Sequence, residues 1–205
     1  MGIAEVKLDP AAYLKIIMHT KRFWNEKIPD ERRNLVYGTL IGYVDEGVRY
    51  ILDYIPLFHS PYELDLEKKH SLFMKMDSLN QDLASQEVHD HIIGWVRSVN
   101  TDYPEITSVD KKNQIYFQTA YHPEAVTAFV LVPTLDYDFG LSIRGFVDPI
   151  STLDTNSLLI DFEWEFDEPL DIDDLFWIVK DLYDSSQTNK PLIKEYKEVL
   201  INIPS

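Results

Sequence analysis

The chain has 205 residues, no cysteine and a formal net charge of −16 at pH 7. Its length suits one compact domain, and the lack of thiols excludes disulfides and a thiolate zinc site, which fits a reducing compartment. The excess of carboxylates argues against nucleic acid as a partner, because such binding uses Lys and Arg to displace counterions from phosphates.

The first residues predict a soluble protein and one helix. Residues 1–7 lack the apolar core of a signal peptide, and no segment approaches the roughly 18 consecutive apolar residues of a membrane span. We therefore expect a cytoplasmic location. Asp9 and Pro10 are typical of the N-cap and first position of a helix, whose apolar stripe includes Tyr13 and Ile17.

Strands and helices are predicted to alternate between residues 48 and 146. The predicted strands are 48–57, 92–98, 126–132 and 141–146, and the predicted helices are 66–84 and 108–121. The helix over 66–84 carries a broad apolar stripe, most of which should be core. Because methionine is favoured at adaptable interfaces, Phe73 and Met76 on this stripe are also candidates for a partner contact.

The part of the chain after residue 150 predicts an acidic strand and further helices. Between Leu158 and Phe166, large apolar residues alternate with carboxylates, so the strand should have one apolar and one acidic face. We favour the interpretation that the acids protect an edge strand against unwanted pairing; the alternative is a surface for a basic partner. Helices are predicted at 175–182 and from residue 189 onward, and they should pack on the domain or on another subunit.

The most informative motif is the segment 94–100, which reads Gly-Trp-Val-Arg-Ser-Val-Asn and is followed by Asp110 near the start of a predicted helix. It resembles the MPN/JAMM (Mov34) family, whose zinc isopeptidases carry Gly-Trp-x-His-Ser-His-Pro and then an Asp. The positions that match are Gly94, Trp95, Ser98 and Asp110. Arg97 and Val99 stand at the two histidine positions.

The coordination chemistry of zinc shows why these replacements argue against a catalytic metal. A catalytic zinc needs three ligands and an open position for water, but Arg97 would bring a permanent positive charge and Val99 has no donor atom. The family's general base is a Glu three residues before a strand glycine, where this chain has Leu35 before Gly38. The resemblance therefore implies an inactive relative of the zinc isopeptidases, with no catalytic residue, metal or cofactor. The degenerate site comprises Leu35, Arg97, Ser98, Val99 and Asp110.

The sequence alone leaves the orientation of Arg97 and the role of the histidines open. Arg97 either forms an ion pair with Asp110 across the emptied pocket, with its guanidinium in place of the zinc charge, or turns outward. His89 and His91 form a His-x-His pair, but two histidines are too few for a zinc site, so a pair flanking a turn is the favoured interpretation. His59 is expected to make a local hydrogen bond.

The resemblance runs in matching order through the first 150 residues and implies an α/β fold. We expect an MPN-like curved mixed β-sheet flanked by helices, with a C-terminal helical extension. The domains implied are an MPN-like domain over 1–150 and a C-terminal strand and helices over 151–205 that pack on it.

The resemblance also implies a function. Family members without the ligands act as scaffold or regulatory subunits of multi-protein complexes related to the ubiquitin–proteasome system, so a pseudoenzyme that dimerises with another MPN domain, or with itself, is expected. Family dimers commonly use the first two helices. The interface candidates are therefore Tyr13, Ile17, Leu72, Phe73, Met76 and Leu79. The alternatives are a residual or altered metal-dependent, isopeptidase-like hydrolase, and a stand-alone homodimer that binds ubiquitin-like proteins or peptides.

Overall fold

A computed structural model describes most of the first two thirds of the chain and three short segments beyond it. The described residues are 4–24, 28–63, 70–85, 90–100, 107–121, 127–132, 142–147, 162–166 and 192–196. The elements are β1 (Ala4–Leu8), α1 (Pro10–Phe23), a 3-10 turn (Asp30–Arg32), β2 (Leu35–Asp45), β3 (Val48–Ser60), α2 (His70–Ala84), β4 (His91–Ser98), α3 (Ser108–Ala120), β5 (Thr127–Val132), β6 (Ser142–Val147) and β7 (Phe162–Phe166).

The seven strands of the described residues form one mixed sheet in the order β6-β5-β4-β2-β3-β1-β7. β1 runs parallel to β3 and β7, and β4 runs parallel to β5. The pairs β2–β3, β2–β4 and β5–β6 are antiparallel. Cα atoms of β6 and β7, at opposite ends of this order, approach within 8 Å, so the sheet curls strongly. The expected α/β fold with a curved mixed sheet flanked by helices is confirmed.

Local sequence explains the start of α1 and the turn between β2 and β3. The side chain of Asp9 caps α1 by accepting a hydrogen bond from the amide of Ala11 at 2.7 Å, with proline following the cap, as predicted. β2 and β3 join through Glu46 and Gly47, whose φ values are 47° and 87°. Positive φ at both central positions is the pattern of a type I′ turn, which suits the twist of a hairpin.

The helices cover both faces of the sheet. Leu40 and Val96 contact α1 on one face, whereas their neighbours Ile41 and Trp95 belong to a second cluster with α2 and α3. Because successive side chains of a strand point to opposite faces, α1 lies on one side of the sheet and α2 and α3 on the other. β2 and β4 are therefore buried on both faces, and β4 supplies the rigid support for the candidate site.

The predicted interface residues lie in these two clusters. Tyr13 and Ile17 of α1, and Met76 and Leu79 of α2, are each at most 5% exposed. The fold of the isolated chain already covers these four side chains, and their part in an interface stays a prediction. The side chains of Leu72 and Phe73 lie outside the described residues. Dimerisation itself stays a prediction.

The later part of the chain departs from expectation in one place. Residues 192–196 are not helical, so the predicted last helix is wrong there. The acidic strand is present as β7 at the edge of the sheet, beside β1. Residues 158–161 and the helix predicted at 175–182 lie outside the described residues. None of the helices in the described ranges has the length and apolar character needed to cross a membrane.

Candidate functional site

The site forms where β4 ends and α3 begins. Arg97 is the penultimate residue of β4 and lies opposite Tyr37 of β2. Asp110 lies in the first turn of α3, where it forms a capping box with Thr107: the Asp110 carboxylate accepts from the Thr107 amide at 2.8 Å, and the Thr107 hydroxyl accepts from the Asp110 amide at 3.3 Å. A second link fixes the helix, since the Trp95 indole donates to the side chain of Gln114 at 2.6 Å.

Arg97 and Asp110 form a buried, bidentate ion pair. Arg97 Nε lies 2.5 Å from Asp110 Oδ1, and Arg97 Nη2 lies 2.5 Å from Asp110 Oδ2. The side chains are 3% and 0% exposed. Burial alone would lower the pKa of Arg97, but the hydrogen bonds and charge of Asp110 outweigh it and raise the pKa, with a smaller contribution from Glu63. Of the two orientations that the sequence left open for Arg97, the structure adopts the ion pair.

The remaining residues of the degenerate site are occupied by packing or backbone contacts. The Ser98 hydroxyl accepts from the Val36 amide at 2.9 Å. Val99 is buried against Val130 on β5. Leu35 is buried in a cluster with Tyr37, so an apolar group fills the position that corresponds to the general base.

These residues do not fit a zinc ion. Both oxygens of Asp110 accept from Arg97, and a zinc ion in that place would meet the positive guanidinium. Val99 has no donor atom. In the part of the chain that the structure describes, no group of three or more His, Cys, Asp or Glu side chains has the arrangement to hold a metal. His91 begins β4, and His89 lies outside the described residues.

Sequence reasoning missed a second polar cluster, which joins distant parts of the chain and in which His19, Tyr54 and Glu195 are buried and His59 is partly exposed. His19 of α1 approaches the Tyr54 hydroxyl through Nδ1 at 2.7 Å and Glu195 Oε1 through Nε2 at 3.2 Å. His59 Nδ1 lies 2.9 Å from the same oxygen, and its ring stacks on Phe23 with centroids 3.9 Å apart. The local hydrogen bond expected for His59 is therefore wrong, because its partner stands 136 residues later.

The protonation states in this cluster follow from burial and charge. Burial alone would raise the pKa of Glu195, but hydrogen bonds from His19 and His59 outweigh it and lower the pKa to about 2. Burial lowers the pKa of His19 despite the opposing effect of Glu195, and it raises the pKa of Tyr54. Glu195 is therefore ionised near neutral pH, and both imidazoles donate to it. Neutral His19 then accepts a hydrogen bond from the Tyr54 hydroxyl at Nδ1.

Comparisons with known proteins agree with this architecture. A family model described as JAB1/Mov34/MPN/PAD-1 ubiquitin protease matches residues 2–123, a range that includes both Arg97 and Asp110. The fold is similar to the solution structure of protein DSY2949 from Desulfitobacterium hafniense, with a TM-score of 0.51 and 14% sequence identity over 81% of this chain and 95% of that chain. At this identity the likeness shows the fold alone. No curated protein sequence matches the chain.

Proposed function

The chain belongs to the JAB1/Mov34/MPN/PAD-1 family, and on this premise we propose that it is a non-catalytic scaffold or regulatory subunit of a multi-protein complex. The observation that carries the proposal is the buried pair of Arg97 and Asp110. A guanidinium holds both oxygens of the one carboxylate that matches a family zinc ligand. The pair makes the β4–α3 junction rigid, and the described residues around it offer no position for a metal-bound water.

The kind of ion pair supports this interpretation. A bidentate contact between guanidinium and carboxylate is strong and directional, and here it joins the end of a central strand to the first turn of a helix. In an active relative, a metal would supply positive charge at this junction. In this chain Arg97 supplies it permanently, since its pKa lies far above neutrality.

The partner that we propose is another MPN-domain subunit or a second copy of the chain. A family fold without hydrolytic chemistry is expected to act through contacts, and the exposure of Met74 on α2, at 58%, supports a contact there. The cytoplasmic location, the relation to the ubiquitin–proteasome system and the division at residue 150 belong to the same proposal. The absence of cysteine supports the location.

The central experiment measures the zinc content and the isopeptidase activity of the same purified protein. We expect purified protein, after mild dialysis, to carry no stoichiometric zinc and to leave isopeptide-linked ubiquitin chains intact. The matched variant combines Leu35→Glu, Arg97→His and Val99→His. We expect this variant to retain zinc without cleaving the chains, because activity also requires surrounding groups that are tuned to the metal ligands.

Stoichiometric zinc in the wild-type protein, or ubiquitin-chain cleavage that a chelator abolishes, would overturn the proposal. Mass measurement of the isolated chain, followed by affinity purification from the native cell, distinguishes a homodimer from a heteromeric complex. A chain that is monomeric alone and recovers no partner would count against the scaffold role.

A further inference from the structure

The segment 192–196 lies beside Pro56 of β3 and contacts α1 on one side of the sheet and α2 on the other; we call the place that it fills the groove. The Tyr196 amide donates to the Pro56 carbonyl at 2.7 Å, and Arg22 Nη1 donates to the Ile193 carbonyl at 3.1 Å. The Tyr196 hydroxyl donates to Asp82 of α2. The segment is therefore held through its main chain near both ends, which is how short peptides are commonly anchored on a protein surface.

Side chains of this segment alternate between solvent and groove. Leu192 and Lys194 are exposed, whereas Ile193 and Glu195 are only 9% and 6% exposed. Tyr196 packs against the apolar cluster between the sheet and α2. The groove thus accepts an aliphatic side chain, a carboxylate and an aromatic ring at fixed positions, with one solvent-facing residue between the first two.

The residues around the Glu195 carboxylate form a preorganised binding site. His19 is 0% exposed, and its Nε2 points at Glu195 Oε1 from one side while His59 Nδ1 approaches the same oxygen from another. Tyr54, also 0% exposed, fixes the far side of the His19 ring. Arg22, which contacts the Ile193 carbonyl, adds positive charge near His19. In a chain of net charge −16, this groove presents two imidazole donors and a guanidinium, a combination that favours an acidic side chain.

The groove and its occupant come from different parts of the chain. The groups that form the groove lie within the family match at residues 2–123, whereas the segment that fills it lies beyond that range. Residues of the matched domain therefore bind a segment that lies much later in the chain, since His59 and Glu195 are 136 positions apart.

We propose that this groove recognises a short segment of a partner protein with the pattern aliphatic–x–Glu–aromatic, and that residues 193–196 fill it in cis until such a segment replaces them. The groove is separate from the Arg97 pocket, so this proposal does not depend on whether the chain is catalytic. A partner segment of the same pattern can make the same contacts with His19, His59 and the Pro56 carbonyl. The cis segment acts as its competitor.

The experiment uses the full chain and a fluorescent peptide with the sequence of residues 190–196, read by anisotropy. Glu195→Lys should expel the cis segment, because a lysine there faces Arg22 and two imidazoles. A tethered segment competes at an effective concentration of roughly millimolar. We therefore expect the Glu195→Lys chain to bind the peptide at least about tenfold more tightly than the wild type does.

Three controls make the result specific. The peptide with Gln in place of Glu should bind at least about tenfold more weakly, and adding His59→Ala to the Glu195→Lys chain should have a similar effect, because each removes a charged hydrogen bond. Lys194→Glu changes an exposed neighbour and should behave as the wild type does. Failure of the folded Glu195→Lys chain to bind, or equal binding of the Glu and Gln peptides, overturns the proposal.

Hydrogen exchange on the wild-type chain tests the proposal without any variant. The Tyr196 amide should exchange by local opening much faster than the amides of β4. Exchange as slow as that of β4 would make the segment part of the core and overturn the proposal, whatever Glu195→Lys does to folding. A wild-type dimer that Glu195→Lys converts to monomer would identify a second copy as the occupant, which also overturns the choice of a foreign partner.

Discussion

At the residue scale, the stability of the Arg97 pocket depends on keeping both charges. Arg97→Ala leaves Asp110 buried and uncompensated, which typically destabilises a fold by about 3–5 kcal/mol. The matched control is Lys15→Ala, which breaks a 2.5 Å pair with Asp53 whose side chains are 43% and 36% exposed. Exposed pairs contribute about 0–1 kcal/mol. Urea unfolding of both variants should therefore show a clear difference, and equal losses would contradict the interpretation of Arg97 as a structural cation.

Glu195 should make the stability depend on pH. Its pKa is lowered from 4.5 to about 2 in the folded chain, so the folded state binds fewer protons than the unfolded state in this range. Its contribution is fully present above pH 4.5 and is lost as the pH falls towards 2. His19 acts in the same direction below its ordinary pKa of 6.5, because its folded pKa is also lowered.

The measurement compares wild type with Glu195→Gln, in which His19 remains. Near pH 7 we expect Glu195→Gln to lower the free energy of unfolding by about 1–3 kcal/mol, the usual contribution of hydrogen bonds to a charged group. The difference should shrink steadily as the pH falls below 4.5. A difference that is independent of pH would mean that Glu195 is not ionised in the folded chain.

At the scale of elements, α2 has a buried side and an exposed side. Two methionines that are two residues apart lie one on each side. Met76 is 1% exposed and Met74 is 58% exposed. Met76→Asp should lower the free energy of unfolding by at least about 2–5 kcal/mol, because it removes core packing and buries a charge. Met74→Asp should change it by less than about 0.5 kcal/mol.

The same pair of variants tests the interface. If the exposed side of α2 contacts a partner, Met74→Asp should weaken association by roughly 2 kcal/mol, about 30-fold in Kd, as measured by sedimentation. Unchanged association would place the partner surface elsewhere.

Helix and strand prediction succeeded where the signal was local. The Asp9–Pro10 cap marked the start of α1, since the capping hydrogen bonds join near neighbours. Helical spacing at Leu192, Ile193 and Tyr196 gave a wrong helix, because contacts with distant residues decide that segment: the Tyr196 amide donates to Pro56. Periodicity on α2 identified an apolar stripe, but spacing alone could not tell whether the domain or a partner covers it.

At the scale of the whole molecule, the two polar clusters differed in how far sequence could predict them. Arg97 and Asp110 are 13 residues apart in a recognisable motif, so their pairing was one of two orientations considered. The contact between His19 and Glu195 spans 176 residues and follows no motif. This contact depends on the position to which the chain brings Glu195 after β7, and no local sequence pattern encodes that position.

The pairing of β1 with β7 has a consequence for synthesis. β1 lies between β3 and β7, and its partner residues run from Ala4 with Phe162 to Leu8 with Phe166. At about 5–20 residues per second, a ribosome needs roughly 10–30 s to make the intervening chain. During that time the β2–β3 hairpin and α1 can already assemble with β1, which leaves one row of its amides and carbonyls open. A nascent chain of this protein thus presents an unprotected strand edge to chaperones, to neighbouring nascent chains or to an assembly partner well before β7 can cover it.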